Sequence, residues 1–306
     1  MRTIYGGNHE QKGESMTINF GARGHDVTSG RTPELLAQGL ADYGAHNVQL
    51  ALAKSFPDMP SGARDINPGM GSYIRRALSA KDVDIAVMGC YFNMTHPDEN
   101  VREAGLCKFE AYLANARFFG APVVASETGS IDAVPGGFTE RNFTEAMYGK
   151  ALASIRRLVA FGERVGTIVG IEPGANHPIY DIATTERLIA DVDSPFLGIV
   201  FDATAYTSPN GLTVNDGDQV DVTRKAFERF GDRIVAVHID DFTLAPSDEY
   251  ACGTSIRRCN VDEGQMDVQS ILRIVAAKRP LAPVILEHTV DEAIGRTVER
   301  YGSLAA

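Results

Sequence analysis

The sequence has only four cysteines among its 306 residues, which is too few for a disulfide framework. It has no apolar stretch of the roughly 18 residues that a membrane span requires, and its start lacks the basic segment and apolar run of a signal peptide. Positive charge is also scarce, since 29 Lys and Arg residues stand against 40 Asp and Glu residues, a net charge of −11. This balance disfavours nucleic acid and anionic membranes as partners. We therefore expect a cytoplasmic protein that acts on a small molecule.

The composition is that of a folded domain, with 44% hydrophobic and 23% charged residues. A chain of this length is within the range where one α/β barrel forms a single domain. We predict a single domain over residues 1–306, in which residues 1–15 form an extension before the first strand.

Short runs rich in Val, Ile and Ala recur along the chain, and segments with helical spacing separate them. The runs cover residues 17–20, 47–53, 83–90, 122–125, 168–171, 197–201, 234–239 and 283–286. Because a strand covered on both faces needs a continuous apolar run, we interpret them as buried parallel strands. Eight alternations of strand and helix favour a closed (β/α)8 TIM barrel, with an open doubly wound sheet as the alternative. The segments NPGMGS at 67–72 and ACGTSIRRC at 251–259 are interpreted as loops.

Polar residues end or interrupt four consecutive apolar runs, in the order Glu172, Asp202, His238 and Glu287. The active site of a TIM barrel lies at the C-terminal ends of its strands, so these side chains are expected at one rim. Three carboxylates at one rim would repel one another unless a cation neutralised them. One imidazole and three carboxylates suit a divalent ion, with Mn²⁺ as the first choice and Mg²⁺ or Co²⁺ as alternatives. The sequence therefore predicts a metal site built from these four residues.

Short motifs around these positions carry a resemblance to a known family. They are IEP at 171–173, FDAT at 201–204, HIDD at 238–241, DEGQMD at 262–267 and LEH at 286–288. In their order and strand positions the sequence resembles, over nearly the whole chain, the xylose isomerase-like TIM barrels grouped as sugar phosphate isomerases and epimerases. The resemblance implies that Glu172, Asp202, His238 and Glu287 are the metal ligands. It also implies proton abstraction next to a carbonyl through a metal-bound enediolate, with Glu172 and Glu287 as the two proton-transferring carboxylates.

The sequence departs from the ketose 3-epimerases of that family at three positions. Pro178, Ala205 and Leu244 stand where those enzymes carry a carboxylate, a His and an Arg that clamp the ketose. His177 lies instead in the loop that follows Glu172. Because a histidine titrates near neutral pH, we predict that His177 is a further catalytic acid or base, with a structural loop histidine as the alternative.

Other polar side chains in the loops after the strands are expected to contact the substrate, and a structural role is the alternative for each. They are His25, Tyr91, His96, Glu127, Asp240 and Glu263.

The leading functional prediction is a metal-dependent isomerase or epimerase of a small sugar or keto-sugar. The alternative on the same scaffold is a lyase, either a keto-sugar dehydratase or an enzyme that cleaves a 3-keto glycoside by β-elimination, as C-glycoside deglycosidases do. A nuclease similar to endonuclease IV is disfavoured, because the chain has only seven His and a net charge of −11. A non-catalytic binding barrel is a further alternative. The resemblance also implies a homo-oligomer or a partner subunit.

Overall fold

Eight parallel strands close into a barrel in the computed structural model, which describes residues 17–133, 139–207, 219–246 and 254–304. The barrel strands are β1 (Phe20–Arg23), β2 (Asn47–Leu50), β3 (Asp84–Gly89), β4 (Val123–Glu127), β5 (Ile168–Glu172), β6 (Leu197–Asp202), β7 (Ile234–Ile239) and β10 (Val284–Leu286). Strand β1 pairs with both β2 and β10, so the sheet has no free edge. The predicted (β/α)8 TIM barrel is confirmed, and the open sheet is excluded.

Helices connect the strands and cover the outside of the barrel. They are α1 (Pro33–Asp42), α2 (Leu52–Ser55), α3 (Pro68–Ser79), α4 (Glu99–Phe119), α5 (Glu145–Val165), α6 (Ile182–Val192), α7 (Gln219–Phe230), α8 (Val268–Lys278) and α9 (Glu292–Tyr301). The core has two parts: the interior of the barrel, filled by side chains such as Val87, Val200 and Ile285, and the layer between strands and helices. Within the described ranges, no helix has both the length and the apolar character needed to cross a membrane.

The glycine-rich segment 67–72 begins helix α3, so its interpretation as a loop is wrong. The side chain of Asn67 accepts a hydrogen bond from the backbone N–H of Met70, and Pro68 occupies the first helical position. An Asn cap followed by Pro is a strong start signal that outweighs the weak helix propensity of glycine. Gly71 also has a packing role, because a Cβ there would lie 2.8 Å from the ring of Phe119 in α4.

The first strand lies three residues later than the sequence indicates, at Phe20–Arg23 instead of 17–20. Gly21 and Arg23 interrupt the apolar pattern that was used to place it. A glycine is needed at position 21, because a Cβ there would lie 2.4 Å from the backbone oxygen of Asn47 in β2. The other seven runs all overlap their observed strands. The predicted extension, residues 1–15, lies outside the described residues.

An antiparallel hairpin follows β7 at the C-terminal rim of the barrel. Its strands are β8 (Asp241–Pro246) and β9 (Thr254–Cys259), with Asp241 paired to Cys259. The loop interpretation of 251–259 is therefore wrong for its described part. The insertion places side chains of β9 over the end of the barrel where the candidate ligands lie.

Candidate metal centre

Three of the four predicted ligands meet at the C-terminal rim. Glu172 ends β5, His238 is the penultimate residue of β7, and Glu287 directly follows β10. One ligand atom from each lies within 4.8 Å of the others. The Nδ1 atom of His238 is 3.4 Å from Oε1 of Glu172 and 3.3 Å from Oε1 of Glu287. All three residues are buried.

The hydrogen bonds of His238 determine which ring nitrogen carries the proton. Its Nε2 lies 2.7 Å from Oε1 of Gln49, while the amide Nε2 of Gln49 donates to Oε1 of Glu287 at 3.3 Å. Because the amide oxygen only accepts, Nε2 of His238 donates, and Nδ1 of the neutral ring keeps its lone pair. That Nδ1 is buried and has no hydrogen-bond partner among the residues that the structure describes. A buried nitrogen without a partner between two carboxylates fits a divalent cation, which would take the place of any proton on Nδ1, and Gln49 orients the ring for it.

The three groups perturb one another strongly. Burial lowers the pKa of His238, but the carboxylates of Glu287 and Glu172 outweigh burial and raise the pKa to about 9. Burial raises the pKa of Glu172 to about 7, against the effect of His238. Burial also acts to raise the pKa of Glu287, but His238, Arg23 and Arg258 lower it to about 2. The cluster therefore retains a proton at neutral pH, which a cation would displace.

Asp202, the fourth predicted ligand, lies at the same rim but makes other contacts. Its Oδ1 accepts the backbone N–H of Thr204 at 2.7 Å, and its Oδ2 accepts from Nη1 of Arg258 at 2.9 Å. Arg258, on hairpin strand β9, also pairs with Asp240. Asp240 is thus an ion-pair partner of Arg258, and its remaining Oδ1 is buried without a partner. That Asp202 is a metal ligand stays a prediction, as does substrate contact by Asp240.

Two cavities, each of about 210 Å³, open beside the cluster. They share Glu127, Glu172 and Arg258. The first, the His177 cavity, is also lined by His177, Thr204 and Ile256, among others. The second, the Tyr91 cavity, is also lined by Arg23, Lys54, Tyr91, Glu287 and His288. Three side chains that the sequence indicated, Tyr91, Glu127 and His177, therefore lie where a small molecule would contact them.

The ring of His177 is held in a defined orientation at the wall of its cavity. Its Nδ1 lies 2.8 Å from the backbone oxygen of Gly129, so Nδ1 donates and Nε2 is the nitrogen that can accept a proton. Buried Asn142 joins the two loops concerned. Its Nδ2 donates to the backbone oxygen of Asn176 at 2.6 Å, and its Oδ1 accepts from the N–H of Ile131 at 2.8 Å. This arrangement suits an acid or base.

Three other predicted contact residues line neither cavity. Nδ1 of His96 accepts the backbone N–H of Asp98 at 3.0 Å, beside the start of α4. Glu263 is exposed and accepts from Nδ2 of Asn260 at 2.9 Å. His25 is half-buried, and burial followed by nearby positive charge lowers its pKa to about 4. Substrate contact by His25, His96 and Glu263 stays a prediction.

Sequence reasoning missed several polar side chains of the site. Gln49 carries the same signal as Glu172, a polar residue within an apolar run, but it lies in the middle of that run and not at its end. Arg258 belongs to the hairpin, which falls outside the strand and helix alternation. The other residues missed are Arg23, Lys54 and His288.

Comparison with known proteins gives a family match and structural neighbours. The sequence matches the family model of the xylose isomerase-like TIM barrel over residues 38–302. No curated protein sequence matches significantly. The 3-keto-D-glucoside 4-epimerase YcjR from E. coli has a TM-score of 0.70 at 14% identity, covering 94% of this chain and 100% of that one. A xylose isomerase-like TIM barrel protein from Mycobacterium smegmatis in complex with magnesium gives 0.65 at 15%, covering 93% and 94%. The probable 3-DHS dehydratase AsbF from Bacillus anthracis gives 0.63 at 16%, covering 87% and 92%.

Proposed function

Because the chain belongs to the xylose isomerase-like TIM barrel family, we propose that it is a divalent-metal-dependent isomerase or epimerase of a small sugar or keto-sugar. The buried cluster of Glu172, His238 and Glu287, in which Nδ1 of His238 has no hydrogen-bond partner among the described residues, is the observation that carries the proposal. Structural neighbours that include an epimerase and a magnesium complex support the same chemistry.

The three clustered side chains would hold the cation, and Asp202 would be the fourth ligand. Mn²⁺ is our first choice, with Mg²⁺ or Co²⁺ as alternatives. When bound there, a divalent cation polarises a substrate carbonyl as a Lewis acid, which acidifies the neighbouring C–H bond. The burial of Glu172 and Glu287 strengthens the electrostatic interactions at this position.

Proton transfer is assigned to side chains that face the cavities. Glu172 and Glu287 would remove and return the proton next to the carbonyl. Nε2 of His177, left free by the bond of Nδ1 to Gly129, would serve as a further acid or base. Tyr91 and Glu127 would contact substrate hydroxyl groups from the cavity walls.

Deuterium incorporation from solvent tests the proposal. The protein is stripped of metal, incubated in D₂O with a panel of keto-sugars and 3-keto glycosides, then reloaded with Mn²⁺ and followed by NMR. We expect exchange at a carbon beside the carbonyl only after reloading, together with a product of unchanged mass apart from the deuterium. The Glu172→Gln variant should lose this exchange and keep its fold. Absence of exchange across the panel, with the metal bound, would count against the proposal.

A lyase is the second candidate, and His177 favours it. Expulsion of a group from the β-carbon needs an acid beside the leaving group, and His177 lies in the cavity away from Glu287. A structural neighbour is a probable dehydratase. The product separates the candidates, because a lyase yields two fragments or loses water and an isomerase does neither.

A further inference from the structure

Two cationic side chains and a histidine line one wall of the Tyr91 cavity. Arg23 ends β1, Lys54 lies in α2 directly after β2, and His288 follows Glu287 after β10. We call these three residues the Arg23–Lys54 wall; burial and the nearby Arg23 lower the pKa of His288 to about 4, so its ring is neutral and adds no charge. The ammonium of Lys54 lies 4.5 Å from the ring centroid of Tyr91, which places it over that ring. The wall therefore borders the same cavity as the carboxylates of the cluster.

Arg23 forms ion pairs with Asp26 and Glu287, but its Nη1 has no hydrogen bond to either carboxylate. Its Nε and Nη2 donate to the two carboxylate oxygens of Asp26 at 2.8 and 3.1 Å. Its Nη1 remains, 3.4 Å from Nε2 of His288 and 3.6 Å from Oε2 of Glu287. One N–H edge of the guanidinium thus faces the cavity side of the wall.

Lys54 is exposed at the edge of the cavity, and it forms no ion pair with any residue in the part of the chain that the structure describes. Its nearest characterised contact is the face of Tyr91, which tolerates a cation without neutralising it. An unpaired ammonium at the wall of a cavity is a group that can bind an anion.

The backbone of His288 supports a binding role for this wall. His288 adopts φ +50, in the left-handed region that residues with a Cβ rarely occupy. Backbone strain of this kind clusters at active sites and ligand-binding sites. Here it accompanies the approach of the imidazole to Nη1 of Arg23.

A bound cation would leave Lys54 as the uncompensated charge of the wall. It would neutralise the two carboxylates of Glu172 and Glu287, Asp202 and Asp240 lie beside the positive charge of Arg258, and Arg23 keeps its ion pair with Asp26. Glu127 is the remaining carboxylate of the Tyr91 cavity, and it lies where the two cavities join. The part of the cavity beside Lys54 is then positive.

We propose that the substrate carries an anionic group, a carboxylate or a phosphate, and that Lys54 and Nη1 of Arg23 bind it. This inference rests on the proposed function, because the metal cluster is taken to hold the reacting carbonyl end. It narrows the substrate class to sugar acids and phosphorylated sugars, and places neutral glycosides outside it.

Calorimetric titration of the Mn²⁺-loaded protein tests this inference with three probes: inorganic phosphate, D-gluconate and the neutral polyol D-glucitol. The variant is Lys54→Met, which keeps the length of the side chain and removes its charge. The matched control is Lys81→Met, at an exposed lysine before β3 and thus at the opposite end of the barrel. We expect at least one anion to bind wild type and Lys81→Met equally, and Lys54→Met about tenfold more weakly.

The anion whose affinity falls in Lys54→Met shows whether the substrate group is a phosphate or a carboxylate. Equal anion affinity in wild type and Lys54→Met, glucitol binding as tight as gluconate binding, or no binding of either anion would each overturn the inference. The deuterium exchange separates this result from the proposed function. Metal-dependent exchange without Lys54-dependent anion binding refutes only the anionic substrate. Lys54-dependent anion binding without any metal-dependent exchange refutes only the isomerase or epimerase.

Discussion

Replacement of Gln49 by leucine tests how the fold prepares His238 for a cation. Gln49 is buried and contacts both His238 and Glu287 through opposite ends of its amide. Leucine has a similar volume but cannot accept a hydrogen bond from Nε2 of His238. The N–H at Nε2 then has no acceptor, so the neutral ring no longer favours the tautomer whose Nδ1 is open to a cation. A proton kept on Nδ1 would compete with the cation.

The expected loss follows from the bonds removed. A buried donor without its acceptor costs about 1–3 kcal/mol, and loss of an outer contact of a metal-ligating histidine lowers metal affinity about 10- to 100-fold. Titration calorimetry with Mn²⁺ at fixed pH measures this change. Gln38→Leu is the control, because the amide of Gln38 donates to Asp42 within the outer helix α1, away from the cluster. Circular dichroism should show the same fold for both variants.

The reasoning would be refuted if Gln49→Leu kept the fold and bound Mn²⁺ as tightly as Gln38→Leu. In that case the tautomer of His238 would not depend on Gln49, and the arrangement of Nδ1 between Glu172 and Glu287 would need another cause.

Three further predictions address the charge of the site and the packing of the barrel. At pH 8, Mn²⁺ binding should release about one proton, because His238, with its raised pKa of about 9, must lose its proton. The Mn²⁺ affinity should therefore increase as the pH rises towards about 9. Calorimetric binding heats that do not vary between buffers of different ionisation enthalpy would contradict this. Glu127→Gln should leave the Mn²⁺ affinity unchanged, since Glu127 is outside the cluster, whereas Glu287→Gln should lower it about tenfold or more; equal effects in calorimetry would argue against the assigned ligands. In urea denaturation, Gly21→Ala should lower the free energy of unfolding by about 1–3 kcal/mol, because its Cβ would lie 2.4 Å from a backbone oxygen of β2. Gly149→Ala, in open space within α5, should raise it by about 0.5–1 kcal/mol; destabilisation by both would count against the packing argument.

The barrel could be predicted because its signals are local in the sequence. Continuous apolar runs mark strands that are covered on both faces, and a polar residue at the end of such a run marks the rim. Glu172, His238 and Glu287 were found in this way. The same rule placed β1 too early, because Gly21 and Arg23 are not apolar, and Arg23 was consequently missed.

The remaining contacts of the site depend on residues far apart in the chain. Gln49 and His238 are separated by 189 positions, and no local pattern links them. Arg258 reaches Asp202 from a hairpin whose strand, TSIRRC, has no continuous apolar run. A position in a loop after a strand also does not determine where a side chain points. For that reason His96 was expected in the site, although it bonds the backbone of Asp98 beside α4.

Anomalous diffraction at the manganese absorption edge, from crystals grown with Mn²⁺, tests the central claim most directly. We expect one strong anomalous peak per chain, from a Mn²⁺ ion bonded to Nδ1 of His238 and to the carboxylates of Glu172 and Glu287. The same map decides whether Asp202 is a fourth ligand. A peak elsewhere with none at this cluster, or a cation bonded to Nε2 of His238, would contradict this claim.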